Sequence, residues 1–191
     1  MRKLILLAPA LILAVPATAQ AQSSTLAVGP SSTSSKTVSI IGTAPAMCFG
    51  GTVSGDGTYD LGILIDTTTG QLRTDLTAPP KLLVGSFCTG RSTITIQATP
   101  LVAQNFTTIP PGGFARSVDY VATASGWTVT PASYNTAAAA NSAATQTRPT
   151  SFTGDVSVAI SGFSTTGGQS LRLVADNNYR GLVTVTIAAV N

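Results

Sequence analysis

The stretch that decides the fold is Cys48-Phe49-Gly50-Gly51-Thr52-Val53-Ser54-Gly55-Asp56-Gly57-Thr58-Tyr59-Asp60-Leu61-Gly62-Ile63-Leu64-Ile65-Asp66, answered by Val84-Gly85-Ser86-Phe87-Cys88 and then by Ser92-Thr93-Ile94-Thr95-Ile96-Gln97-Ala98. Cys48 and Cys88 are the only two cysteines of the 191 residues. Glycine turns and short apolar alternations lie between them. In the segment after Cys88, Ile94 and Ile96 alternate with Thr93, Thr95 and Gln97, the pattern of a strand with one face buried. These features point to a β-sandwich stapled early in the chain and to a structural role.

The beginning of the chain reads as an export signal. Arg2 and Lys3 form a basic start, Leu4 to Val15 is apolar apart from Pro9, and Ala17-Thr18-Ala19 and Ala19-Gln20-Ala21 are both small-x-small cleavage sites. We expect residues 1–21 to be a signal peptide cut after Ala21, or else after Ala19. The apolar run is too short to span a bilayer comfortably, and no later run approaches ~18 residues. No membrane span is therefore expected after cleavage. In an exported chain two cysteines pair. Closing a loop of about 40 residues removes on the order of 4 kcal/mol of unfolded-state entropy in the chain-entropy model. The other reading, two thiols in a metal or redox site, lacks a C-x-x-C spacing and any His to complete a shell.

Composition narrows the chemistry. Charged residues are 9% of the chain, against roughly a quarter in ordinary soluble domains. Such a surface leaves little repulsion between copies, which favours assembly. Ten basic residues less Arg2 and Lys3 leave eight against seven acidic ones, so the processed chain is near +1. It carries no basic cluster, and no nucleic-acid partner is expected. His and Glu are absent, which excludes Ser–His–Asp and Cys–His catalysis. No enzymatic activity, metal or cofactor is expected. Asp56 and Asp60 read as turn residues; a calcium site there would need six to eight oxygen ligands in all. Trp127 reads as core, the other reading being a sugar-stacking platform with Tyr134.

Further strands follow from alternation and turn signals. Residues 22–36 are polar and read as a flexible N-terminal extension. Thr37 to Gly42 reads as a strand that opens a single domain over residues 37–191. Tyr59, Leu61, Ile63 and Ile65 are spaced by two and are expected on one face of a strand. Lys81 to Phe87 reads as a buried strand. Val118, Tyr120 and Ala122 mark another, Trp127 and Val129 another, Phe152 to Ile160 another, and Leu171 with Leu173 one more. Asn135 to Arg148 reads as a loop. In the last segment Val183, Val185 and Ile187 form one face, with Thr184 and Thr186 on the other. The count is about seven to nine strands with no amphipathic helix, an all-β sandwich.

Taken in order, these residues resemble the subunits of chaperone–usher pili (fimbriae) and the related spore-coat-U-like proteins. The resemblance lies in Cys48, Tyr59-Asp60-Leu61-Gly62, Phe87-Cys88, the alternating strand Thr93 to Ala98, and the closing run Tyr179-Arg180-Gly181-Leu182-Val183-Thr184-Val185-Thr186-Ile187. It covers most of the processed chain loosely. It implies an immunoglobulin-like sandwich lacking its last strand, with an apolar groove and an unpaired sheet edge. A periplasmic chaperone lends a strand to that edge, an outer-membrane usher receives the subunit, and the extension of the next copy or a related subunit then replaces the chaperone. Such head-to-tail pairing does not close and yields a filament. Thr25, Leu26, Ala27 and Val28 are the expected donor residues, and Val183, Val185 and Ile187 the expected chaperone-facing edge. In this sequence the usual alternating donor is reduced to Leu26 and Val28, with Pro30 soon after. The implied location is the periplasm in transit and then the cell surface. A reading from a different class also stands: a stand-alone exported β-sandwich module that binds a glycan or a surface protein.

Overall fold

The computed structural model describes residues 34–190. The expected signal peptide and the expected donor residues Thr25 to Val28 lie outside them. Eleven strands occur in chain order: β1 Cys48–Phe49, β2 Thr52–Val53, β3 Lys81–Cys88, β4 Ser92–Ala103, β5 Phe114–Ala115, β6 Ser117–Ser125, β7 Ala132–Asn135, β8 Thr145–Arg148, β9 Phe152–Thr165, β10 Arg172–Leu173 and β11 Tyr179–Ala189. The protein is all-β and sandwich-like, as the alternations predict.

Strand order explains the architecture. One run of neighbours is β1–β3–β9–β6, with β2 also on β3 and β7 on β6; β4 and β11 pair with each other, with β8 on the other side of β4. Among the strand ladders of the described residues, the two parts join where Leu101 and Val102 of β4 meet Val118 and Ser117 of β6. Lettered by the immunoglobulin convention, the first run is A–B–E–D and the second is C–F. The place of strand G, beside β11, is not filled among the described residues. The faces enclose Ile94, Ile96, Tyr120, Ala122, Ala124, Trp127, Val156 and Val158. A second, smaller cluster gathers Leu72, Leu76, Ala115, Val118 and Leu173. The short parallel pair β5–β10 closes over that cluster.

Cys48 and Cys88 are bonded and lie directly opposite each other in β1 and β3. The bridge fits an oxidising compartment. No helix of the described residues is long and apolar enough to cross a membrane.

Five expectations are corrected. Asn135 to Arg148 is not a loop throughout: Thr145–Arg148 form β8, antiparallel to β4. Thr37 to Gly42 forms no strand; Val38, Ile40 and Ile41 are 83%, 97% and 94% exposed. A strand needs a neighbour, and none of the described strands pairs with this segment. Tyr59, Leu61, Ile63 and Ile65 do not share a face. Tyr59 and Leu61 pack on the main core, Ile65 on the smaller cluster, and Ile63 is exposed. The cause is turn chemistry: Asp56 Oδ1 accepts from the Thr58 N–H and Asp60 Oδ1 from the Gly62 N–H, both at 2.9 Å, and Gly62 takes a φ of 61°. Trp127 and Val129 form no strand either. Gly126, at φ 94°, ends β6, and a Cβ there would sit 2.9 Å from the Asp155 carbonyl oxygen. The chain therefore turns, Trp127 drops into the core and Val129 is left fully exposed. Finally, β3 forms where expected but buries only one face, leaving Leu82 and Val84 exposed.

Candidate functional site

The free edge of β11 is a direct result of backbone alternation. Along an antiparallel strand, successive residues turn their N–H and C=O groups to opposite sides. The Ile96 N–H donates to the Ala144 carbonyl, away from β11, so Thr95 and Gln97 face β11. Their register partners are Thr186 and Thr184, and one step beyond the strand the Val190 N–H donates to the Arg91 carbonyl at 2.9 Å. Even-numbered residues of this part of β11 therefore bond β4. Val183, Val185 and Ile187 turn their backbone groups the other way, where no strand stands among the described residues. The same three side chains pack against the main core. They are the three residues that sequence analysis singles out, and the structure gives them partial apolar burial together with backbone groups unpaired among the described residues.

Beside the first half of this edge lies a groove of about 1320 Å³. Its floor comes from Leu101, Tyr120 and Ile160; one wall is the irregular segment Thr58 to Ile65, and the other runs from Leu173 to Val183. Each wall carries one conspicuous apolar side chain, Ile63 and Leu182, both 64% exposed.

Hydrogen bonds hold the walls. Tyr59 Oη donates to the Val158 carbonyl at 2.6 Å, which anchors the irregular wall to β9. Tyr120 Oη donates to the Leu182 carbonyl at 3.3 Å and reaches β11 from beneath. Tyr179 Oη donates to the Val174 carbonyl at 2.8 Å. Burial, with a smaller contribution from Tyr59, pushes the Tyr120 phenol up to about 12. Burial, aided by Asp176, does the same to Tyr179. All three phenols are thus fixed neutral donors at physiological pH.

One end of the groove is polar. Asp176 accepts from the N–H groups of Asn105 at 2.7 Å, Phe106 at 2.9 Å and Asn178 at 2.8 Å, and from the Asn105 amide at 2.9 Å. Desolvation pushes its carboxyl up, but these donors together outweigh it and hold it below the ordinary 3.8. Asp56 is likewise lowered, by the Thr58 N–H first and then by Lys81, whose Nζ lies at 3.1 Å. Asp56 and Asp60 are occupied in their own turns, in keeping with the turn-residue reading.

Trp127 is fully enclosed, stacked at a tilt on Phe152 with ring centres 4.2 Å apart. It offers no platform for a sugar. Sequence reasoning missed Tyr120, Ile160 and Tyr179 as groove residues. Tyr179 opens the closing run and could have been found by its place there; Tyr120 and Ile160 look like any core-facing strand residues. Comparison with family models, with curated proteins and with solved structures found no match.

Proposed function

We propose that this chain is a structural subunit of a bacterial surface filament, a fimbria or pilus, assembled by strand donation and contributing to adhesion. The observation that carries this reading is the open edge of β11. There Val183, Val185 and Ile187 combine half-buried side chains packed on the core with unpaired backbone groups, and Val183 borders a groove with an apolar floor. A bare edge of this kind is an aggregation hazard unless another strand covers it. A lent strand supplies main-chain hydrogen bonds for affinity and alternate side chains for specificity.

In this account a periplasmic chaperone covers the edge during transit and passes the subunit to an outer-membrane usher. The N-terminal extension of the next copy then takes the chaperone's place. Sequence analysis sets the donor contacts at Thr25 to Val28, outside the described residues. The role is structural rather than catalytic. The low charge and the Thr/Ser-rich surface suit repeated contact between copies.

The test uses material sheared from native cells, run on a denaturing gel boiled and unboiled, and probed with antiserum to this chain. Strand-donated polymers give a ladder that collapses to one band on boiling. A single monomer band in both lanes removes the filament reading and leaves the stand-alone binding module.

A further inference from the structure

Three Thr-x-Thr steps from distant parts of the chain meet on one sheet face: Thr93-Ile94-Thr95 in β4, Thr145-Gln146-Thr147 in β8 and Thr184-Val185-Thr186 in β11. We propose that this threonine face is the surface through which neighbouring filaments stack side by side, its occupant being the same face of a second copy. The inference rests on the filament reading and adds to it a lateral contact that uses no donated strand.

Register puts the six threonines together. Thr147 stands opposite Thr93, Thr145 opposite Thr95, and Thr186 on the far side of Thr95; Thr184 is opposite Gln97. Residues paired across a ladder share a face. The hydroxyls therefore form a grid about 4.8 Å apart across the strands and about 6.8 Å apart along them. Ile94 and Ile96 point the other way, into the core, so the grid faces outward. Thr145, Thr147, Thr184 and Thr186 are exposed, and Thr93 and Thr95 half-buried. No ionisable side chain lies in residues 92–103, 145–147 or 181–189. Of the flanking arginines, Arg148 Nη1 donates to the Trp127 carbonyl at 2.7 Å and Arg180 Nε to Asn178 Oδ1 at 2.8 Å. Two copies can thus approach here with no charge to desolvate and no like charges opposed.

The chemistry of the face selects its partner. It holds no aromatic ring for a sugar to stack on and no basic group for an anion, so an equally neutral sheet is the match. Each threonine offers a methyl to pack and a hydroxyl that is costly to bury unless bonded. Thr95 and Thr145 already bond to each other, Oγ1 to Oγ1 at 3.0 Å, which lowers that cost at the middle of the face. Two such faces twist with the same hand and stack at about 30°, roughly 10 Å apart. Three strands of seven residues span only about 350 Å² a side. A stable pair of free proteins needs about 800 Å² from each partner. One contact is therefore too small to hold two monomers, but a filament repeats it along its length, and many weak contacts made together hold filaments in a bundle.

The test uses sheared surface material from cells making the full chain as wild type, T95K/T147K or T153K/S161K. The first variant sets like charges against each other across the stacked faces. The second adds the same charge at exposed positions of β9, away from the grid. The unboiled gel ladder reports filament formation, and low-speed centrifugation, which pellets bundles and leaves single filaments in solution, reports stacking. The expected result is a ladder from all three chains, with T95K/T147K giving at least about tenfold less pelleted protein than wild type and T153K/S161K pelleting as wild type does. Equal pelleting of T95K/T147K and wild type overturns the inference and leaves the filament reading standing, as do wild-type filaments that stay single. Equal loss from both variants also overturns it, because net charge and not this face would then govern stacking. No ladder from wild type overturns the filament reading itself. If T95K/T147K alone gives no ladder, T147K, at an exposed position on β8 remote from β11, carries the test with the same expected direction.

Discussion

Tyr59 Oη donates to the Val158 carbonyl at 2.6 Å, joining residues 99 apart in the chain. That bond ties an irregular segment, which lacks a ladder of its own, to the long strand β9. It is what keeps one wall of the groove in place while the floor beside it stays open. Removing the phenol oxygen alone, in Tyr59→Phe, is expected to cost about 0.5–1.5 kcal/mol, the usual net worth of such a bond. Denaturant unfolding measures it, and amides from Thr58 to Gly62 should exchange faster in the variant.

The same phenols set the alkaline limit. Burial raises the Tyr59 phenol above 10, and burial pushes Tyr120 and Tyr179 up to about 12. A raised pKa means that the unfolded chain, near 10, gives up its protons first. The stability contributed is full below pH 10 and is lost as the pH climbs toward about 12. The expected outcome is a cooperative alkaline transition within that window, with tyrosinate absorbance and loss of near-ultraviolet dichroism rising together. Tyrosinate absorbance that completes near pH 10, without unfolding, would contradict it.

Asp176 sets the acid response of the groove's polar end. Its carboxyl is depressed, so its contribution is present above the unfolded carboxyl pKa and lost as the pH falls through the lower folded value. We expect the amides of Asn105, Phe106 and Asn178 to lose exchange protection below pH 3.8 in the wild type, and at neutral pH in Asp176→Ala. Core amides such as Ile94 and Ile96 should be unaffected by the substitution.

Trp127 is the largest fully buried side chain, and its Nε1 has no partner among the described residues. Its value therefore lies in packing against Phe152, not in a polar bond. Trp127→Ala is expected to cost about 3–5 kcal/mol through the cavity left behind. Trp127→Phe, which keeps an aromatic ring and leaves no donor unsatisfied, should cost clearly less. Equilibrium denaturation of the two variants separates the contributions.

How much of this was legible depends on whether a residue's partner announces itself locally. In β4, Ile94 and Ile96 read as the buried face because an alternating strand over a core needs no further information. Val183, Val185 and Ile187 read equally well, and their face was placed as found. The segment from Tyr59 to Ile65 did not. Its spacing of two matches a strand, but the carboxylates of Asp56 and Asp60 cap local turns, and no neighbouring edge was present to compete with them. Trp127 was legible as core although its strand was not, because Gly126 ends β6 through a close approach to Asp155 that sequence cannot show. The groove itself was least visible. Tyr59, Tyr120, Ile160 and Tyr179 come from four distant parts of the chain, and only topology brings them together.

The central claim is that β11 has one bonded and one open edge, and amide exchange of the isolated chain tests it most directly. The account predicts slow exchange at Thr184 and Thr186, which bond β4, and fast exchange at Val183, Val185 and Ile187. In assembled filaments all five should be slow. Strong protection of Val183, Val185 and Ile187 in the isolated monomer would mean that the edge is already filled from within the chain, and the account would fail.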